Sequence, residues 1–232
     1  MTKSCLRFAV SCSSNMNRSM EAHSFLSKKG FLVESFGSGN LVKLPGPTPT
    51  QPNVYEFGVT YQDILKDLTA KDKALYTQNG ILHMLERNRR IKAGPERFQD
   101  CKKEFDVIVC LEERVYDQVV EELSSRGGGG GLDSSPKDDE DDNAKQEDDD
   151  HNDKEDDHNS GGKEEGSGGS VHVINMDVQD NHEEATIGAF FVCELCALLE
   201  RCEDLDNDID EILNEFESKC SRPILHTLCF YS

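Results

Sequence analysis

The sequence predicts an α/β fold: a doubly wound, mostly parallel sheet of four to five strands with helices on both faces. Short apolar runs at residues 6–10, 31–36, 105–110 and 171–177 have the length and branched content of buried strands. Segments of helical periodicity separate them, the alternation a parallel sheet requires. The stretch from Cys12 to Ser19 falls where the first strand meets the first helix, the place where such sheets hold ligands.

Leu6, Phe8, Ala9 and Val10 define the first strand. Met20, Ala22, Phe25 and Leu26 then recur at helical spacing, and Lys28, Lys29 and Gly30 supply a basic last turn and a glycine stop. Residues 31–36 complete a βαβ unit. Residues 37–52, with four prolines and three glycines, read as an ordered loop or small hairpin. Two helices are expected at 61–68 and 75–87. The third strand at 105–110 precedes a helix at 112–123, whose Val115, Val119, Val120 and Leu123 share one face. After the fourth strand come helices at 183–202 and 205–216, and 225–231 closes the chain as a strand or extended tail.

Residues 127–170 interrupt this pattern. They open with five glycines and carry 16 acidic against 4 basic residues, more than half of the formal charge of −21. With Leu132 and Ala144 as the only aliphatic side chains, the tract cannot bury enough surface to offset ordering entropy. A disordered insertion is expected there, within one domain built from 1–126 and 171–232.

No run has the length of a membrane span, and the first residues lack a signal peptide's apolar stretch. Nine scattered cysteines, an odd number, suit a reducing compartment. Cys193 and Cys196 form a CxxC pair inside an apolar helical run, which points to packing over zinc or redox chemistry. No metal or cofactor is expected. No dense basic stripe offers direct nucleic-acid binding. The cluster from Arg87 to Lys92 is compatible with a nuclear localisation signal, though a charged helix end is the commoner explanation.

Cys12-Ser-Ser-Asn-Met-Asn-Arg18-Ser19 carries the chemistry. A loop of this length curls so that its backbone amides point inward as an anion nest, and the following helix adds its free N–H groups and dipole. Ser13, Ser14, Asn15, Met16 and Asn17 would line that cradle. Arg18 suits bidentate grip of a phosphate, which lysine cannot match. The same field favours a thiolate at Cys12, and Ser19 is placed to donate to its sulfur. These residues predict a phosphatase working through phosphocysteine. Asp177 and Asp180 follow the fourth strand. Asp180 reads either as the acid that protonates the leaving group or as the cap of the next helix, and the residues leave both open.

Val10-Ser-Cys12 through Arg18-Ser-Met-Glu-Ala-His23 resembles the active-site loop of the nuclear phosphatases that act on the C-terminal domain of RNA polymerase II. Those are divergent relatives of low-molecular-weight tyrosine phosphatases within the pre-mRNA cleavage and polyadenylation machinery. The resemblance extends through Lys43-Leu-Pro-Gly-Pro47, Leu75-Tyr-Thr-Gln-Asn-Gly-Ile-Leu-His-Met84, Gln179-Asp-Asn-His182 and the ending His226-Thr-Leu-Cys-Phe-Tyr231. It implies a substrate of phosphoserine followed by proline in the polymerase heptads, with that peptide bond cis. It assigns Cys12 as nucleophile, Arg18 as phosphate clamp and Asp180 as general acid, with Lys43, Leu44, Pro45, Tyr76 and Met84 in the peptide groove. It also implies nuclear residence, a symplekin-type scaffold as partner and functional coupling to prolyl isomerase. The competing expectations are an arsenate-reductase-like redox enzyme, which needs resolving cysteines, and a phosphopeptide-binding subunit without turnover.

Overall fold

Four parallel strands and one antiparallel edge strand form the central sheet of the computed structural model, which describes residues 6–127 and 169–231. In chain order the elements are β1 (Arg7–Cys12), α1 (Arg18–Lys29), β2 (Leu32–Gly37), β3 (Val42–Leu44), β4 (Asn53–Tyr55), α2 (Tyr61–Gln78), α3 (Ile81–Asn88), β5 (Val107–Cys110), α4 (Glu113–Gly127), β6 (Ser170–Met176), α5 (His182–Leu199), α6 (Leu205–Cys220) and β7 (Ile224–Phe230). The sheet order is β2-β1-β5-β6-β7. The chain leaves β1 for β2 on one side and takes up β5 on the other, so the carboxyl end of β1 lies at the point where strand order reverses. Side chains from loops on both sides converge in the crevice there.

Alternation along the strands builds two cores. Phe8, Val10, Val107, Val109, Ile174 and Met176 pack under α1, α5 and α6. Ala9, Ile108, Cys110, Val171 and Val173 face Val115, Val119 and Leu123 of α4. Each large side chain fully buried this way contributes about 1.5–3 kcal/mol of transfer free energy. A third cluster joins Met16 and Met20 to Val42, Leu44, Tyr61, Tyr76 and Met84. It seats the β3–β4 hairpin, α2 and α3 over the carboxyl end of β1.

The structure corrects one expectation and decides between the alternatives in others. The helix expected at 75–87 is two pieces: Asp72 leaves helical geometry within α2 (φ −161°, ψ 89°), and Gly80 adopts φ 80° before α3 begins. Tyr76 therefore belongs to α2 and Met84 to α3. The proline-rich segment is an antiparallel hairpin, with Leu44 opposite Asn53. The closing segment is a true strand, and its antiparallel register sets Ile224 opposite Met176. The first strand runs on to Cys12, so the thiol stands on the end of the sheet. Residues 128–168 of the acidic tract lie outside the described residues; Gly127 ends α4 and Ser170 opens β6. Cys193 and Cys196 are buried within α5, and burial raises both thiol pKa values. Among the described residues no helix is long and apolar enough to cross a membrane.

His23 of α1 gives this packing a pH dependence. Its Nδ1 lies 2.8 Å from the Ser35 hydroxyl, and burial, with Lys92 nearby, lowers its pKa to about 4. A histidine in an unfolded chain titrates near 6.5. The unfolded state therefore binds the proton first, and stability falls as pH drops from about 6.5 to about 4. Thermal unfolding across that window is expected to show a declining midpoint, with a shallower decline in His23→Asn. An identical slope in both proteins would remove His23 as its source.

Candidate active site

The loop after β1 is held from outside, which leaves its inner side open. Asn15 occupies the left-handed region at φ 52°, a conformation asparagine tolerates better than most residues. Its carbonyl accepts from the Tyr61 hydroxyl at 2.7 Å, and its Oδ1 accepts from the Glu96 amide at 3.0 Å. The Met16 carbonyl accepts from Asn88 Nδ2 at 2.7 Å and Arg87 Nη2 at 3.1 Å, while Arg87 also pairs with Glu21. With the carbonyls drawn outward, the amides of Ser13 to Asn17 donate to no acceptor among the described residues. That is the donor array an anion requires.

Gly37 at the end of β2 permits the fit. A Cβ there would stand 2.9 Å from the Ser13 carbonyl oxygen and 3.0 Å from the Asn15 amide nitrogen. The neighbouring strand and the loop thus touch backbone to backbone.

Cys12 is buried, with its Sγ 3.1 Å from Ser19 Oγ. Asn15 engages the same hydroxyl. Because Asn15 Oδ1 accepts from an amide, its Nδ2 must donate, and it reaches Ser19 Oγ at 3.0 Å. The serine oxygen thereby accepts from Asn15 and keeps its own hydrogen to give, and a thiolate at Cys12, which can only accept, would receive it. A donor to sulfur stabilises the thiolate both as it attacks and as it departs.

Arg18 is 5% exposed. Its Nη1 donates to the Leu111 and Val178 carbonyls at 3.2 and 2.9 Å, and its Nη2 to Glu112 Oε2 at 2.7 Å. Nε has no hydrogen-bond partner and lies 3.6 Å from Asp180 Oδ1. Of five guanidinium donors, Nε–H and one on Nη2 remain for two phosphate oxygens. Burial opposes the Arg18 charge, but the Cys12 thiolate, Asp180 and Glu112 more than offset it, and its pKa stands above the ordinary arginine value.

Asp180 sits between β6 and α5, its Oδ1 accepting from Asn17 Nδ2 at 3.0 Å. Capping of α5 is done by Asn181, whose side chain accepts from the Glu184 amide at 2.8 Å. Asp177 ties loops together: its Oδ1 takes the Glu113 amide at the start of α4 and Asn175 Nδ2.

A cavity of about 250 Å³ collects Cys12, Ser14, Met16, Asn17, Lys43, Leu44, Pro45, Met84 and Asp180. Asn79, Ile81, Asn181 and His182 complete its wall; they lie in segments that carry the resemblance, but nothing in the sequence singled them out as site residues. His182 gets there because Gly80 has no Cβ, which would lie 2.9 Å from the histidine Nε2. That nitrogen bonds the Asn79 carbonyl at 2.9 Å. A larger open cleft of about 930 Å³ adjoins it through Asn17, Met84 and His182, but no cysteine is among its lining residues. Volume is therefore a poor guide to the chemistry here.

Five expected site residues do not line the cavity: Arg18 and Ser19, both buried in the first turn of α1, and Ser13, Asn15 and Tyr76. Ser13 turns toward Arg114. Asn15 is a buried brace. Tyr76 is buried in α2, where its hydroxyl accepts from Asn53 Nδ2 at 2.8 Å, and the same amide holds the Pro45 carbonyl at 2.9 Å. It acts on the groove through the hairpin. Among the described residues no second cysteine lines the cavity, so none stands there as the resolving thiol that redox chemistry needs.

A family model described as Ssu72-like protein matches residues 6–231. The human and chicken RNA polymerase II C-terminal domain (CTD) phosphatases SSU72 are each 54% identical over 231 residues, covering 100% of both chains. Among solved structures, Drosophila melanogaster Ssu72 with Symplekin and a cis peptidomimetic phosphoserine peptide of the CTD is similar at TM-score 0.78 and 48% identity, covering 98% of this chain and 100% of that one. The serine phosphatase of the RNA polymerase II CTD from the same fly gives TM-score 0.79 at 49% identity, covering 97% and 100%.

The contact at Gly37 yields a direct test. Gly37→Ala is expected to displace the loop and weaken binding of orthovanadate, a phosphate analogue, about tenfold. Titration calorimetry would measure it, and unchanged affinity would show that this close approach does not set the cradle.

Proposed function

The chain belongs to the Ssu72-like protein family, and on that premise we propose that it is a cysteine-dependent serine phosphatase of the RNA polymerase II C-terminal domain. Its substrate is phosphoserine followed by proline, taken with that peptide bond cis. The observation that carries the reading is the joint placement of three groups at the end of β1. Cys12 stands beneath unpartnered loop amides, Arg18 keeps two donors free, and Asp180 reaches the same cavity.

The chemistry follows from their positions. The Cys12 thiolate attacks phosphorus in line, a P–S bond forms, and the P–O bond to serine breaks. Loop amides and Arg18 hold the three equatorial oxygens as charge spreads over them. The departing alkoxide takes a proton from Asp180, which a leaving group this basic requires. Asp180, now a carboxylate, draws a proton from water, and hydroxide displaces the sulfur. The Ser19 hydroxyl stabilises the released thiolate across 3.1 Å.

Leu44, Pro45, Ile81 and Met84 give the cavity an apolar wall beside the polar cradle. Such a wall suits a proline ring folded back next to its phosphoserine, as a cis bond would place it. Work on the polymerase puts the enzyme in the nucleus. By analogy with the Symplekin-bound fly relative, a symplekin-type scaffold of the 3′-end processing complex is its partner.

Cys12→Ser is expected to bind a heptad phosphopeptide while losing turnover at least about 10³-fold. Hydrolysis by that variant at the wild-type rate would exclude phosphocysteine. In unfolded peptides about 10–30% of such bonds are cis and exchange takes tens of seconds or longer. At high enzyme, release of phosphate is therefore expected in a fast and a slow phase, and prolyl isomerase should abolish the slow one. A single phase insensitive to isomerase would argue against a cis requirement.

A further inference from the structure

Arg222 lies outside the catalytic cavity, yet the antiparallel register of β7 brings it to the loop that carries Asp180. α6 ends at Cys220, and Ser221 takes the left-handed conformation at φ 55° as its cap. Pro223 follows, preventing further helix. Because Ile224 is opposite Met176 at the end of β6, the residues just before Ile224 lie beside those just after Met176.

There the Arg222 guanidinium is gripped on both edges and on its face. Nη1 donates to the Asp177 carbonyl at 3.0 Å, Nη2 donates to Glu184 Oε2 at 2.8 Å, and the Phe191 ring centroid is 5.5 Å away. Asp177 is where the chain leaves β6, and Glu184 is in the first turn of α5. One planar cation thus fastens both ends of the segment that bears Asp180. A planar fork is suited to this, since it orders two acceptors at fixed separation with little rotamer loss.

Resting on the reading of Asp180 as general acid, we propose that Arg222 is a positioning residue for that acid. It fixes the Asp177–Glu184 segment so that Asp180 meets the leaving oxygen. Arg222 touches no substrate and transfers no proton. Its effect is confined to steps that need the acid.

Leaving-group dependence separates this role from ordinary stabilisation. Kinetics would compare wild type, Arg222→Ala, Arg222→Lys, Asp180→Asn and the Arg222→Ala/Asp180→Asn double variant. Each would be assayed on a phosphoserine-proline heptad peptide and on p-nitrophenyl phosphate. Arg222→Ala is expected to lower kcat on the peptide about tenfold or more. On p-nitrophenyl phosphate, whose leaving group departs without a proton, the loss stays below about twofold. Arg222→Lys should recover part of the peptide rate, and Arg222→Ala should cost nothing further once Asp180 is asparagine. Equal losses on both substrates, or losses that multiply in the double variant, would overturn the inference. Should Asp180→Asn show no leaving-group preference, the general-acid reading itself fails. Glu184→Gln releases the same clamp from its other end and gives the same comparison if Arg222→Ala does not fold.

Discussion

A guanidinium as buried as Arg18 has to be satisfied from several directions, because an unpaired charge in that environment costs several kcal/mol. Its partners are the Leu111 carbonyl after β5, the Val178 carbonyl after β6 and the Glu112 carboxylate at the start of α4. The residue proposed to grip phosphate is therefore also the residue that gathers the ends of three strands. Solvating the charge and assembling the site are one requirement. It accounts for the unpartnered Nε: the fold meets enough of Arg18's demand to hold it, and leaves the edge a substrate would take.

A second set of contacts works outward from the loop. Tyr61, Asn88 and Arg87 engage the loop carbonyls, and Asn15 orients Ser19. These residues come from α2, α3 and the loop itself, so the outlying layer that roofs the cavity also tensions the cradle. The hairpin is joined to the same layer through Asn53 and Tyr76. Catalytic and recognition surfaces thus share one support.

The chain's formal charge of −21 looks ill suited to an anionic substrate. The local field decides instead. At physiological salt, exposed charges are largely screened beyond about 8 Å, whereas the loop amides, the α1 dipole and Arg18 would act on a bound anion at contact distance. More than half of that charge also resides in the tract at 127–170, which contains none of the proposed catalytic residues. Binding of phosphate by an acidic protein requires only that the sign be right within one pocket.

Much of this was legible in the sequence, for reasons of periodicity and local spacing. Apolar runs of strand length, helical stripes such as Met20–Ala22–Leu26 and the seven residues from Cys12 to Arg18 are short-range signals. Each is written by neighbours along the chain, so the parallel sheet and the cradle at its edge could be read directly. The break at Gly80 was harder, because the apolar stripe from Leu75 onward continues across it. Gly80 is set by the approach of His182, which lies far off in sequence. For the same reason the sequence left Asp180 undecided between cap and acid. Only the folded chain shows Asn181 taking the cap and Asp180 turned to Asn17 and Arg18. Tyr76 was placed in the groove by resemblance, but packing puts it one layer behind. The sequence alone determined which chemistry the chain carries, since a thiol, an arginine and a loop of fixed length need only local order. The tertiary structure decided which carboxylate lies beside them and what fastens its loop, because those contacts span most of the chain and depend on strand order and register.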